Sequence, residues 1–205
     1  MGDPKKHRKK YSTPIHPWQR ERIEVEIDIK KRYGLRKKYE IWKMSSLLKT
    51  ATSQAKQLMA TTSKQAEKEK HQLLERLISL GLLKKGAKVE DVLKLTLGDI
   101  MERRLQTILV RKALARTMLQ SRQFILHEHI SIADKKIKSP SYLVLAEEES
   151  KIQFHTISQM ADVNHPERLI QQKQDKSQKK GKAKEAKEET EAPEKVPNLI
   201  AEAEE

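Results

Sequence analysis

Between Met101 and Pro140 the spacing of the apolar residues changes from that of a helix to that of a strand. That single switch limits the chain to folds in which helices lead into a hairpin. Met101, Leu105, Ile108 and Leu109 fall at i, i+4, i+7 and i+8, one stripe along a helix. Arg104 and Arg111 are seven residues apart, nearly two turns, and are expected to project from one side beside the stripe. Thr117-Met118-Leu119-Gln120 has the spacing of a capping box and should open a second helix, with Ser121, Phe124 and Ile125 facing inward. After His129 the period becomes two. Ile130, Ile132 and Ile137 read as half-buried strand positions around a turn at 133–136.

The outside of this helix–helix–hairpin unit is basic. From Ile100 to Pro140 nine cations (Arg103, Arg104, Arg111, Lys112, Arg116, Arg122, Lys135, Lys136, Lys138) stand against three acids (Glu102, Glu128, Asp134). The charges recur on both helices, on the turn between them and on the hairpin. That distribution exceeds what solubility needs and points to a polyanion rather than to one solvated helix face. The arginines present planar forks to phosphate oxygens, which lysine cannot reproduce. Gln123 and His127 are candidates for reading a base edge or a 2′-hydroxyl, and His129 for an RNA contact or packing.

Composition supports a partner of that kind. The 205 residues carry 43 Lys and Arg against 29 Asp and Glu, a formal charge of +14, with 36% apolar and only 4% aromatic residues. Such a chain cannot build one large core from all its residues, so some segments must be ordered by something else; phosphate contacts, each releasing condensed counterions, can supply the deficit. The absence of cysteine excludes disulfides and thiolate metal sites. The seven histidines are scattered without metal-ligand spacing on a helix, so no metal and no cofactor is expected. There is no P-loop, G-x-G-x-x-G, G-x-S-x-G or H-E-x-x-H, hence no candidate catalytic residue. No apolar run approaches the ~18–20 residues that cross a bilayer. The N-terminus lacks the apolar core of a signal peptide, and a cytoplasmic location is expected.

The chain divides into an expected basic N-terminal extension (1–43), a helical subdomain (44–100), the helix–helix–hairpin domain (101–165) and a mixed-charge disordered tail (166–205). The extension has fourteen Lys or Arg against six acids and begins with a proline-broken arm. Lys5, Lys6, Arg8, Lys9 and Lys10 are its first phosphate candidates, and Trp18 is free to stack on a base or dock on another segment. Ile23, Val25, Ile27 and Ile29 alternate with period two, which taken alone means strand, yet no partner strand is visible and a helix is preferred. Gly34 is a plausible C-cap, and Arg36, Lys37 and Lys38 form a cationic turn. Trp42 reads as a core anchor. Helices are expected over 45–60, 64–80 and 89–95, with Ser63 and Thr96 as caps and Gly81 as a stop. Tyr142–Leu145 and Lys151–Ile157 read as two more strands across a solvent-facing acidic loop at Glu147–Glu149. The fold class is therefore α+β: a mostly helical N-terminal part, then helix–helix–hairpin. A short rigid junction between them would hold two basic surfaces at fixed separation, which suits folded RNA.

Several of these residues resemble a known family. Glu102-Arg103-Arg104-Leu105-Gln106-Thr107, Ala115-Arg116-Thr117, Ser121-Arg122-Gln123 and Ser139-Pro140-Ser141-Tyr142-Leu143-Val144 are similar to the S-four RNA-binding domain. The likeness is to its form in the small-subunit ribosomal protein S-four family of archaea and eukaryotes. His16-Pro17-Trp18 and Tyr33-Gly34-Leu35-Arg36 with Ile41-Trp42 extend the resemblance upstream, over about three-quarters of the chain. It implies a structural, non-enzymatic binder of small-subunit ribosomal RNA that acts at a multi-helix junction early in assembly and affects decoding accuracy. The implied state is a monomer within the ribosome, beside other small-subunit proteins, the S-five protein among them, with no membrane or DNA partner. The alternatives are a free-standing RNA-binding regulator or RNA chaperone using the same domain, and a membrane-surface or partner-helix protein. Many bacterial members carry a cysteine-ligated zinc, which this chain cannot. The family also tends to have glycine where this chain has Ala113, Glu128 and Ala133-Asp134, so backbone strain or a reshaped helix end is expected at Glu128.

Overall fold

The computed structural model describes residues 9–162, with 165 and 166. Nearly all described residues belong to one compact unit that ends at Asp162. The expected tail beyond Pro166, and Lys5, Lys6 and Arg8, lie outside the described residues.

In chain order the elements are α1 (Arg20–Arg32), α2 (Lys38–Ala60), α3 (Lys64–Ser79), α4 (Val89–Leu93), α5 (Leu97–Glu102), α6 (Leu105–Arg111), α7 (Met118–Leu126), β1 (Ile130–Ile132), β2 (Lys135–Lys136), α8 (Ala146–Glu149) and β3 (Ile152–Phe154). The strands form one antiparallel sheet in the order β2-β1-β3, with Ile132 opposite Lys135 and Ile152. The architecture is α+β, helical first, as the sequence indicates.

Three adjoining cores hold the elements. Leu73 and Leu77 of α3 and Val92 of α4 bury against Ala51 and Ala55 of α2. Ile41 and Met44 of α2 meet Ile100 and Met101 of α5 and the turn residues Tyr33 and Leu35. Leu105, Ile108 and Leu109 of α6 close against Phe124 and Ile125 of α7, Ile130 and Ile132 of β1, Val144 and Ile152. Six of these last residues have no solvent exposure (Leu105, Ile108, Leu109, Ile125, Ile130, Val144), and each such side chain stabilises by roughly 1.5–3 kcal/mol on burial. Ser121, Phe124 and Ile125 face inward as their spacing requires.

The period-two segment is a helix. Val25 and Ile27 of α1 stay 58% and 40% exposed, so the alternation marks no buried face. The ion pairs Arg20–Glu24 and Arg22–Glu26 at i, i+4 and the packing of its end hold α1 instead. Trp42 of α2 is half-buried against the second core, and its Nε1 donates to Glu26 Oε1 at 3.0 Å.

Four helices end in the same hydrogen-bond pattern. The amide of the first residue past the cap donates to the carbonyl three residues back, and the next amide to the one five back: Gly34 to Lys31 and Leu35 to Lys30, Gly81 to Ile78 and Leu82 to Leu77, Ala113 to Val110 and Leu114 to Leu109, Glu128 to Ile125 and His129 to Phe124. This motif needs a left-handed residue in its first position. Glycine fills it twice. Ala113 at φ 56° and Glu128 at φ 61° fill it at a steric cost, so the helix end before β1 is unaltered and strained. Ala133 (φ 45°) and Asp134 (φ 68°) make the two-residue hairpin turn, whose right-handed strands require positive φ at both positions. Lys135 and Lys136, read from sequence as part of that turn, form β2.

Two expectations fail near the junction. The stripe from Met101 to Lys112 is not one helix: α5 ends at Glu102, Arg104 turns extended (ψ 142°), and α6 begins at Leu105. Pairing across the fold causes the break. Leu105 N donates to Tyr142 O at 2.8 Å and Val144 N to Arg103 O at 3.0 Å, so these groups bond to 142–144 rather than along a continuous helix. Arg104 and Arg111 therefore do not share a helix side. For the same reason Tyr142–Leu145 is not a strand; it contributes one bridge, Leu143 opposite Arg104. The acidic loop is the short helix α8, and two of its three carboxylates are engaged: Glu148 accepts from Tyr142 Oη and Glu149 from Arg103, while Glu147 faces solvent.

Candidate nucleic-acid interface

The arginines at the junction are internal. Arg104 is 1% exposed, and its Nη2 donates to Glu40 Oε2 at 2.8 Å. Arg122 of α7 donates from both terminal nitrogens to the same carboxylate, at 3.2 and 3.1 Å. Burial alone would raise the Glu40 carboxyl; the hydrogen bonds from Arg122 and Arg104 outweigh it and hold the group below the usual carboxylate range. Arg103, also buried, binds Glu149 Oε2 at 2.6 Å and the carbonyl of Val144 at 3.0 Å. The place expected for Arg104, on the solvent side of a helix stripe, is thus corrected: an extended backbone at the head of α6 points it into the core.

A second polar lock lies beside this one. Gln106 Nε2 donates to the carbonyls of Tyr33, Gly34 and Met118, the last at 2.8 Å. Ser121 Oγ donates to Gln106 O at 2.7 Å. Gly34 is required there twice over: its φ is +58°, and a Cβ would sit 2.7 Å from that of Met118. Glu40, Gln106 and Gly34 tie the end of α1 and the start of α2 to α6 and α7. That connection fixes the helical part against the helix–helix–hairpin part.

The remaining predicted contacts fall into two groups. Arg111 is paired with Glu102 and Lys112 with the carbonyl of Glu149, while Lys138 meets Glu128 at 2.8 Å and Lys38 meets Glu26 at 3.5 Å. The Lys138 hydrogen bond holds the Glu128 carboxyl below its usual range. The exposed pairs Arg111–Glu102 and Lys138–Glu128 contribute little, so these two cations can exchange a carboxylate for a phosphate at small cost. The second group is open to solvent: Lys9, Lys10, Arg36, Lys37, Arg116, Gln123, His127, Lys135 and Lys136. Lys37 lies over the Tyr39 ring at 5.9 Å. Because β2 is an edge strand, Lys135 and Lys136 project from a free margin of the sheet. His129 is drawn inward, edge-on to Phe124, with Nδ1 2.8 Å from Ser158 Oγ; burial and then the charge of His127 lower its pKa. Trp18 is 90% exposed, on a turn pinned by Arg22 Nη2, which donates to the carbonyls of His16 and Pro17.

The sequence reading missed Glu40 and Gln106. An acid alone among Arg36, Lys37, Lys38 and Lys43 was a usable signal for an internal counter-charge. Gln106 gave none, since its partners are backbone carbonyls, two of them more than seventy residues away at Tyr33 and Gly34. Among the described residues no group of His, Asp and Glu is placed to hold a metal ion, and no helix is long and apolar enough to cross a membrane.

Comparison with known proteins places this junction in a family. The S4 domain family model matches residues 103–150, from the buried Arg103 to the end of α8. The small ribosomal subunit protein uS4 of Methanococcus aeolicus is 51% identical over 169 residues, 82% of this chain and 96% of that protein. The chain belongs to the uS4 family. The uS4 proteins of Hyperthermus butylicus (45% identical; 84% of this chain, 98% of that one) and Methanothermobacter thermautotrophicus (44%; 78% and 94%) match nearly as fully. The uS4 likeness thus spans the helical part as well as the S4 domain, in accord with the tight joint between them.

Proposed function

We propose that this uS4 family member is a structural, non-enzymatic constituent of the small ribosomal subunit that binds its ribosomal RNA directly. The observation that carries the reading is the 51% identity to a uS4 protein along 82% of the chain. The geometry adds a mechanism. Arg116, Lys135, Lys136, Gln123 and His127 stand exposed on the S4 domain, Arg36 and Lys37 on the helical part, and the Glu40 and Gln106 locks hold the two parts at a set spacing. Phosphate contacts set affinity, and the fixed spacing selects RNA folded to match it. In this reading the chain acts as a monomer in cytoplasmic ribosomes, binds early in assembly of the subunit body beside the S-five protein, and contributes to accuracy of decoding.

Co-sedimentation with small subunits tests the proposal. The chain should remain bound at moderate salt, and its affinity for a small-subunit rRNA transcript should fall steeply as salt rises. A chain found only in the RNA-free or non-ribosomal fractions would favour the free-standing regulator.

A further inference from the structure

A basic groove crosses the helical part, away from the S4 domain. Tyr11 of the N-terminal arm lies against Tyr39 and Trp42 of α2, with ring centroids 6.2 and 6.1 Å away. Ser12 N donates to Ser46 Oγ at 3.0 Å. These contacts lay the arm beside α2 and bring Lys10 to the wall of a cavity of about 290 Å³ between α2 and α3, lined also by Lys43 and Arg76. A shallower extension reaches Lys49. Neither stretch has a carboxylate in its lining, whose polar members are hydroxyls and an amide such as Thr50, Ser53 and Gln54. Acid appears only at the far end, where Glu69 borders the adjoining hollow.

This contrasts with the S4 domain, where Arg104 and Arg122 are both consumed by the internal carboxylate of Glu40. None of Lys10, Lys43, Lys49 and Arg76 meets a carboxylate within ion-pair distance among the described residues. Four cations around a groove without acids form a local positive field that an anionic chain would neutralise. The apolar floor of Leu47, Ala51, Leu73 and Leu77 suits ribose faces and the lysines' own methylenes.

We infer that the groove between the arm, α2 and α3 is a second RNA-backbone site, gripping a ribose-phosphate strand through Lys10, Lys43, Lys49 and Arg76. The inference rests on the rRNA-binding reading above and names a surface for it. An acidic helix of a neighbouring protein is the competing occupant, and it is disfavoured because a ribose-phosphate strand carries a charge at every unit to meet cations spread along the groove from Lys10 and Lys49 to Lys43 and Arg76.

The full chain carrying Lys43→Gln, Lys49→Gln and Arg76→Gln tests it by titration against a small-subunit rRNA transcript at rising salt. Affinity should fall on the order of 10-fold or more near ~0.1 M salt, and the log–log salt slope should become shallower by about 2–3. The helical circular dichroism signal should be unchanged. If the triple variant loses its fold, Lys49→Gln alone should still reduce the slope by about 0.9. Wild-type affinity and slope in a folded variant would overturn the inference while leaving the rRNA reading intact. A wild-type chain with no salt-dependent rRNA affinity would overturn both. Because the chain has no cysteine, Ser53→Cys can carry a single tethered cleavage reagent. In assembled subunits it should cut rRNA; attachment to a neighbouring protein instead, with no rRNA cut, would give the groove to that protein.

Discussion

Replacing alanine by glycine ordinarily destabilises a protein, and at Ala113 the opposite is expected. The residue sits at φ 56°, in the left-handed position that ends α6, with its methyl exposed and no core contact to lose. Holding an L-residue in that region costs roughly 1–2 kcal/mol. Glycine removes that cost but leaves a more flexible unfolded chain, which offsets about 0.4–1 kcal/mol of the gain. The net effect is a stabilisation of about 0.5–1 kcal/mol. For a chain of this size it corresponds to a rise in melting temperature of about 1–4 °C. The hydrogen bonds from Ala113 to Val110 and from Leu114 to Leu109 do not involve the side chain and should persist. Scanning calorimetry and urea denaturation of the full chain measure the change directly. Ala113→Val should shift it the other way, since a branched side chain at positive φ is a true outlier. A glycine variant that melts lower than the parent would show that the αL position is not strained, and the same logic would then fail at Ala133.

Other perturbations bear on the joint. Glu40→Gln keeps the shape of the side chain but leaves Arg104 buried without a counter-charge, which should cost about 3–5 kcal/mol in chemical denaturation; a loss under 1 kcal/mol would contradict the described geometry. Both Glu40 and Glu26 have carboxyls held below their ordinary range, burial being outweighed at Glu40 by Arg122 and Arg104, and at Glu26 by Trp42 and Arg22. Their contribution is complete above the ordinary glutamate pKa of about 4.3 and is lost as pH falls through it toward the lower folded values. The melting temperature should therefore drop on the acid side, less so in Glu40→Gln. Arg104→Glu should abolish the helical signal rather than merely weaken RNA binding, because it sets a second buried acid against Glu40; a folded variant would put Arg104 back at the surface.

Local chemistry made much of this fold readable in advance. The caps at Ser63 and Thr96, the stops at Gly34 and Gly81, and the inward set of α7 depend on residues a few positions apart, and the structure has them there. The left-handed positions at Ala113, Glu128 and Ala133-Asp134 were signalled by the family resemblance, which has glycine there, and not by the residues this chain supplies. What could not be read was long-range. The interruption at Arg103-Arg104 is imposed by residues 142–144, forty positions later, and no spacing within 101–112 announces it. Charge misled for a related reason: an arginine in sequence looks the same whether it will meet phosphate or Glu40. Arg116, in the loop before α7, is exposed as a cation between two helices would be, whereas Lys135 and Lys136 moved from the expected turn into β2 and stayed exposed.

The carboxylate shared by Arg104 and Arg122 also bears on how transplantable the S4 domain is here. A segment cut to the matched boundaries would carry two guanidinium groups whose acceptor stays behind in α2, sixty-four and eighty-two residues upstream. Fusing residues 101–162 to a foreign host should yield an insoluble or molten product unless Arg104 is exchanged for an apolar side chain of like volume. A module that looks portable in sequence is, in this chain, rooted in its neighbour.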